Sequence, residues 1–211
     1  GVDSFFYLWI NGHYVGFSKN SRSAARFDIT SYLKKGENIV AAEVYRSNDG
    51  SYLEAQDMFR LPGIFRTVSL YSTPKVEIND FRVLCDMDED MDGGLLKLSA
   101  DIHNLTKKDI KNYKIVYSLY ANKLYSDVNE PYKYTCDDVA IKQTSKQSKQ
   151  TNVVNMYVDM PHTWSAEQPW RYTVVAQLKD NKGKIIETVS TITGFRKVTI
   201  RKLRASQDEF N

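Results

Sequence analysis

Residues 4–18 read SFFYLWINGHYVGFS, two runs rich in aromatic and β-branched residues on either side of Asn11-Gly12. An Asn-Gly pair adopts positive φ at low cost, so it suits the two-residue turn of a β-hairpin, and the flanking runs suit its strands. This is the strongest local signal in the chain, and it commits the first segment to antiparallel sheet. Moving outward, RFDITSYLKKGENIVAAEVYR (26–46) predicts a short turn-like segment, a turn over Lys34-Lys35-Gly36-Glu37-Asn38 and a strand through Ile39, Ala41 and Val44. GIFRTVSLYSTP (63–74) alternates Ile64, Arg66, Val68 and Leu70 less cleanly than a half-buried strand would, and Pro74 ends it.

A second series starts at Lys75. VEINDFRVLCD (76–86), LLKLSADIHN (95–104), YKIVYSLYAN (113–122), TNVVNMYVDM (151–160), RYTVVAQLKD (171–180) and KIIETVSTITGFRKVTI (184–200) are short β-type runs separated by turn signals. Their spacing is that of an immunoglobulin-like sandwich, without the Cys…Trp…Cys pattern of antibody domains. Between the third and fourth runs, IKQTSKQSKQ (141–150) is polar and aperiodic and reads as a solvated loop. No segment predicts a helix longer than two turns.

Composition agrees with an all-β chain. Of 211 residues, 42% are hydrophobic and 12% aromatic, with 14 tyrosines and 9 phenylalanines. A net charge of +3 from 29 basic and 26 acidic residues makes no field that would favour nucleic acid, and no basic helix accompanies it. No apolar run approaches the roughly 20 residues that span a bilayer, so no membrane partner is expected. Cys85 and Cys136 are too few for a disulfide scaffold or a four-cysteine zinc site, and they read as packed thiols. The strand-like FFYLWI already begins at residue 5, without a cap, a linker or an initiating methionine, which suggests a piece of something longer.

Several motifs carry chemistry on paper. DEDMDG (88–93) places aspartates at positions 1, 3 and 5 and Gly93 at 6 of a calcium loop, but position 12 is Ser99 and the flanks are strands. An acidic hairpin turn is the better reading. Asn129-Glu130-Pro131 is the pair that sugar-cleaving barrels place at a strand end, yet glycoside hydrolysis needs two carboxylates at a fixed separation and no parallel-barrel pattern supplies the second. It reads as a surface turn. His13, His103 and His162 follow no metal-ligand spacing and read as structural or surface residues. No nucleophile elbow and no phosphate-binding glycine loop occurs. EAQDMFRLPGIFR (54–66) is denser: Asp57 lies between two strands on a loop pinned by Pro62 and Gly63, partly dried by Met58 and Phe59. Such a carboxylate could bind a cation or a sugar hydroxyl; alternatively it pairs with Arg60 or Arg66 to close a sandwich end.

Three blocks carry a resemblance. FYLWINGHYVGFSKNSRSAARFDITSYLKKGEN (6–38), SNDGSYLEAQDMFRLPGIFRTVSL (47–70) and PHTWSAEQPWRYTVVAQLKDNKGKIIETVSTITGFRKVTI (161–200) resemble, in order and spacing, the β-galactosidases of glycoside hydrolase family 2. The resemblance implies a partial jelly-roll β-sandwich over 1–75, an immunoglobulin-like β-sandwich over 76–200, and over 201–211 the approach to a catalytic barrel that this chain does not hold. It implies no catalytic residue and no cofactor within the chain, with sodium, and magnesium as a further candidate, in the parent enzyme. It also implies that Asp57 reaches the galactose and the sodium ion, while Ala55, Phe59 and Pro62 replace the family's usual Asp, Trp and Ser. The expected partners are the catalytic barrel of the same parent chain and its β-galactoside substrate, with a homodimer through the truncated jelly-roll face as a further expectation. Two other functions stay open on residues alone. One is a free-standing carbohydrate-binding or adhesion module using Trp9, Trp164 or Trp170; the other is a small hydrolase built on Glu130 and Asp57.

Overall fold

The computed structural model describes residues 1–54, 56–57, 59–126, 128–135, 139–141, 145–146 and 148–200, of which 129–135 are described through their backbone. The described residues form strands, turns and a single 3-10 turn at Thr30–Tyr32, and divide into two compact units, Gly1–Tyr71 and the part from Ser72 onward. None of their helical segments is long and apolar enough to cross a membrane.

In the first unit, β1 (Val2–Asp3) will pair with a later strand, and β2 (Phe5–Ile10) and β3 (His13–Ser18) form the hairpin read from the sequence. Asn11 and Gly12 take φ of 51° and 81°, the geometry of a two-residue turn whose twist matches the strands. β4 (Val40–Tyr45) lines the other side of β2, giving the order β3-β2-β4. Asn11 also stitches the turn to this third strand. Its Nδ2 donates to the Tyr32 carbonyl at 2.8 Å and to Asn38 Oδ1 at 2.9 Å, while its Oδ1 accepts the Ile39 N–H at 3.0 Å. Phe6 and Ile10 are buried on one face of β2, where Phe27 stands edge-on to Phe6 at 6.0 Å. β5 (Gly63–Ile64) pairs with β1. It is the whole of the strand in 63–74: beyond Ile64, Val68 and Leu70 are exposed and pair with nothing among the named strands.

The second unit is the sandwich. β6 (Val76–Met87), β7 (Gly93–Asn104) and β11 (Ser148–Asp159) make one sheet in the order β11-β7-β6. β8 (Lys114–Asn122), β9 (Asn129–Thr135), β10 (Val139–Ala140), β12 (Tyr172–Lys179) and β13 (Ile185–Thr193) make the other, in the order β10-β8-β12-β13 with β9 also on β8. Consecutive strands thus change sheets between β7 and β8 and again around β11, the Greek-key arrangement of immunoglobulin-like folds. Alternation decides which side chains meet. Leu96, Leu98, Ala100 and Ile102 of β7 face Ile115, Tyr117 and Leu119 of β8 and Val174, Ala176 and Leu178 of β12, all buried in one cluster. Phe81 stacks on Tyr117 at 6.0 Å between the sheets.

Two sequence expectations are corrected here. Residues 141–150 are not all loop: Ser148, Lys149 and Gln150 already pair with Asn104, His103 and Ile102, and Ile141 is buried. β11 is an edge strand with one solvated face, so polar residues are tolerated and the hydrophobic period disappears. Asn129-Glu130-Pro131 is not a surface turn but the start of β9. The register slips between the pairs Tyr120↔Lys133 and Asn122↔Asn129, and Pro131 falls in that irregularity, where a missing N–H breaks no ladder bond.

One carboxylate ties the sheets together. Glu187 Oε2 of β13 accepts the Ile78 N–H of β6 at 2.5 Å. Burial raises the Glu187 pKa, the Ile78 N–H opposes that shift, and the charge of Glu77 adds to it. A raised acid favours the folded state while protonated, so its contribution is present at low pH and is lost as pH rises through the folded pKa. Glu187→Gln keeps an oxygen for Ile78 without the charge. The variant is therefore expected to melt above wild type near neutral pH, with the difference shrinking as pH falls through the carboxylate range. Thermal melts across that range check it; a difference independent of pH counts against the assignment.

Candidate functional site

The loop after β4 is built from polar side chains that fix its start. Asn48 Oδ1 accepts the Gly50 N–H at 2.6 Å, its Nδ2 donates to Ser4 Oγ at 2.7 Å, and its N–H donates to Ser51 Oγ at 2.8 Å. Ser4 Oγ and Ser51 Oγ are 3.2 Å apart and both residues are buried. The Leu53 and Glu54 N–H groups then donate to the Gly50 carbonyl, and Ser21 Oγ donates to Glu54 Oε2 at 2.6 Å. At the far end Gly63, with φ of 126°, enters the β1–β5 pair opposite Asp3. A side chain at that φ would strain the backbone, which is why glycine stands there. The sequence reading named the loop and its Gly63 pin but missed Ser4, Ser21 and Asn48. Asn48-Asp49-Gly50-Ser51 is a turn signal that could have pointed to the near anchor.

Asp57 stands between these two anchors and is exposed. Phe59 beside it is 95% exposed and dries nothing, and Met58 lies outside the described residues. Among the described residues no ion pair joins Asp57 to Arg60 or Arg66. Arg66 lies instead over the Phe65 ring at 5.5 Å. The loop therefore presents a carboxylate flanked by Tyr52, Leu53, Phe59 and Leu61, each at least 77% exposed. A carboxylate oxygen suits a hard cation or a sugar hydroxyl. Among the described residues no three His, Cys, Asp or Glu side chains converge well enough to hold a metal, so Asp57 offers a cation one carboxylate here.

The other marked residues have surroundings of their own. His13 is exposed; His103 is buried with Nδ1 3.6 Å from Glu77 Oε1; His162 stacks on Trp170 at 4.3 Å. Trp164 pairs with Pro169 across a turn and carries Arg196 over its ring at 5.3 Å. Residues 88–93 close the β6–β7 hairpin, with the Asp88 N–H donating to the Gly93 carbonyl and the Asp92 N–H to Asp88 Oδ1. Burial pushes the Cys85 thiol up to about 11, so it is an unreactive packed group, and Cys136 lies outside the described residues.

Comparison with known proteins follows the same division. The family described as "Glycosyl hydrolases family 2, sugar binding domain" matches residues 1–74, and "Glycosyl hydrolases family 2" matches residues 76–196. A β-galactosidase of Priestia megaterium is 43% identical over 201 residues, which are 95% of this chain and 19% of that protein. A β-galactosidase of Pectobacterium atrosepticum is 37% identical over 95% of this chain and 19% of its own length. The chain thus spans about a fifth of the length of these relatives. Among solved structures, a β-glucuronidase of Bacteroides uniformis superposes with a TM-score of 0.77 at 18% identity, over 92% of this chain and 23% of the other. A β-glucuronidase of Parabacteroides merdae gives 0.73 at 18% identity, over 93% and 24%. At such identity the likeness speaks for the fold, a partial jelly roll followed by an immunoglobulin-like sandwich.

Proposed function

The chain belongs to glycoside hydrolase family 2, and from that premise we propose that it is a non-catalytic segment of a longer β-galactosidase. The observation that carries this reading is the 43% identity with a β-galactosidase along 95% of the chain, set against the 19% of that protein's length it spans. The parent would hydrolyse terminal non-reducing β-D-galactose residues by a retaining route that requires two carboxylates about 5–5.5 Å apart, both carried on a barrel domain elsewhere in the protein. The segment's part is to support that barrel and to present Asp57 to the sugar and to a sodium ion. Bound sodium would supply a fixed positive charge that orients a sugar hydroxyl. Asp57 would hold it as one ligand among several, on a loop stiffened at Glu54 and Gly63. A magnesium ion, where the parent binds one, has no ligand set among the described residues.

The isolated 211-residue chain is expected to show no hydrolysis of a chromogenic β-galactoside above a buffer blank, while the full-length protein turns it over. Turnover by the isolated chain that disappears in Glu130→Gln would overturn the proposal in favour of an autonomous hydrolase.

A further inference from the structure

The Asp57 loop is gripped from outside by residues that directly follow the hairpin. β3 ends at Ser18, and residues 19–22 leave it in a turn closed by Asn20, whose Oδ1 accepts the Arg22 N–H at 3.2 Å and the Ser23 N–H at 3.1 Å. A side chain that bonds the N–H groups just ahead of it fixes a turn by itself, so this segment is a stiff continuation of the sheet. On the entry side of the loop, Lys19 Nζ lies 2.9 Å from Asp49 Oδ2, and Ser21 Oγ donates to Glu54 Oε2 at 2.6 Å. On the exit side, the Arg22 guanidinium stands 5.9 Å from the centre of the Phe65 ring. Ser21 and Arg22 are neighbours, with Cα atoms about 3.8 Å apart, yet they touch opposite ends of the loop. Glu54 and Phe65 are thus tied to a single point of the scaffold, as the two ends of a compact Ω-loop are.

The three contacts differ in weight. The Lys19 and Asp49 side chains are both exposed, so water screens their pair and it contributes little. Arg22 over a ring at the surface adds a modest attraction. Ser21 is the strong point: it is 2% exposed, and its hydroxyl meets a carboxylate oxygen at the short distance of a charge-assisted bond. Glu54 itself is exposed, so losing the Ser21 hydroxyl leaves its carboxylate to water and strands no buried group. What is lost is position. Asp57 follows Glu54 by three residues, a reach of about 10 Å in extended chain, so freedom at Glu54 passes directly to the Asp57 carboxylate. We propose that residues 19–22 are a brace that sets where Asp57 stands, and that Ser21 is a positioning residue for the reaction of the parent protein. The part in the reaction rests on the function proposed above; the brace rests on the contacts of residues 19–22 alone.

The test takes Ser21→Ala, Asp57→Ala and the double variant of the full-length protein through steady-state kinetics over a sodium series, thermal melts and amide hydrogen exchange. Ser21→Ala is expected to lower kcat/KM for a β-galactoside about tenfold and to raise the sodium concentration that gives half-maximal rate, with an unchanged melting temperature. The N–H groups of Leu53 and Glu54, which donate to the Gly50 carbonyl, should exchange about tenfold faster than in wild type. Glu54→Gln keeps an oxygen for the Ser21 hydroxyl and should retain most of the rate, whereas Glu54→Ala should match Ser21→Ala. A residue that acts through Asp57 has nothing to position once Asp57 is gone, so Ser21→Ala should cost less than about twofold in the Asp57→Ala background. The brace is overturned if exchange at Leu53 and Glu54 stays at the wild-type rate, or if the tenfold loss persists beside Asp57→Ala. Wild-type activity and sodium response in Asp57→Ala would instead overturn the proposed function and, with it, the part given to Ser21 in the reaction.

Discussion

Asp57→Ala in the full-length protein is expected to lower kcat/KM for a β-galactoside about a hundredfold, equivalent to about 2.7 kcal/mol of transition-state stabilisation. The loss should be accompanied by a weaker response of the rate to sodium, because in the proposed function one carboxylate would serve both the cation and the sugar. Folding should be nearly untouched. Asp57 is exposed and makes no ion pair with Arg60 or Arg66 among the described residues, so its removal strands no buried partner. Steady-state kinetics over a sodium series, beside melts of the same variant, read both quantities. A variant whose sodium response is unchanged and whose melting temperature falls sharply would show a structural carboxylate instead.

The largest effect on stability is expected at Phe195. Its side chain is fully buried, meets Tyr172 edge-on at 5.0 Å and closes over the backbone of Gly94, where an added Cβ would collide with the Phe195 ring. Its carbonyl accepts the Trp164 N–H at 2.8 Å, so one residue fastens the chain's exit from β13 to the turn after β11. Phe195→Ala removes the ring and leaves a cavity that Gly94 has no side chain to fill. The cost is about 3–5 kcal/mol. Denaturant unfolding of the wild-type and variant chains measures it. A loss below about 1 kcal/mol would mean that the ring lies outside the core in solution.

The sequence determined the elements that depend on local chemistry. Asn11-Gly12 could only be a tight turn, and the alternation of Leu96, Leu98, Ala100 and Ile102 could only be one face of a strand, because φ preference and the two-residue period act within a few residues. The block 161–200 that carries the resemblance includes Trp164-Ser165-Ala166-Glu167 and Gly194-Phe195-Arg196, and packing explains part of that text: Phe195 fills the core while Arg196 covers Trp164. Strand β9 and the start of β11 were not legible, since edge strands take their partners from β8 and β7 and need no hydrophobic period of their own. Asp57 was visible as a residue type on a pinned loop. Its isolation from both arginines, the anchoring by Ser4, Ser21 and Asn48 from 9 to 53 positions away in sequence, and the gathering of Tyr14, Phe17 and Tyr45 around Tyr7 were decided only by the tertiary structure. The physical reason is the same in each case: hydrogen bonds and ring contacts fall off within a few ångströms in space, and only the folded chain sets which distant residues come within that range.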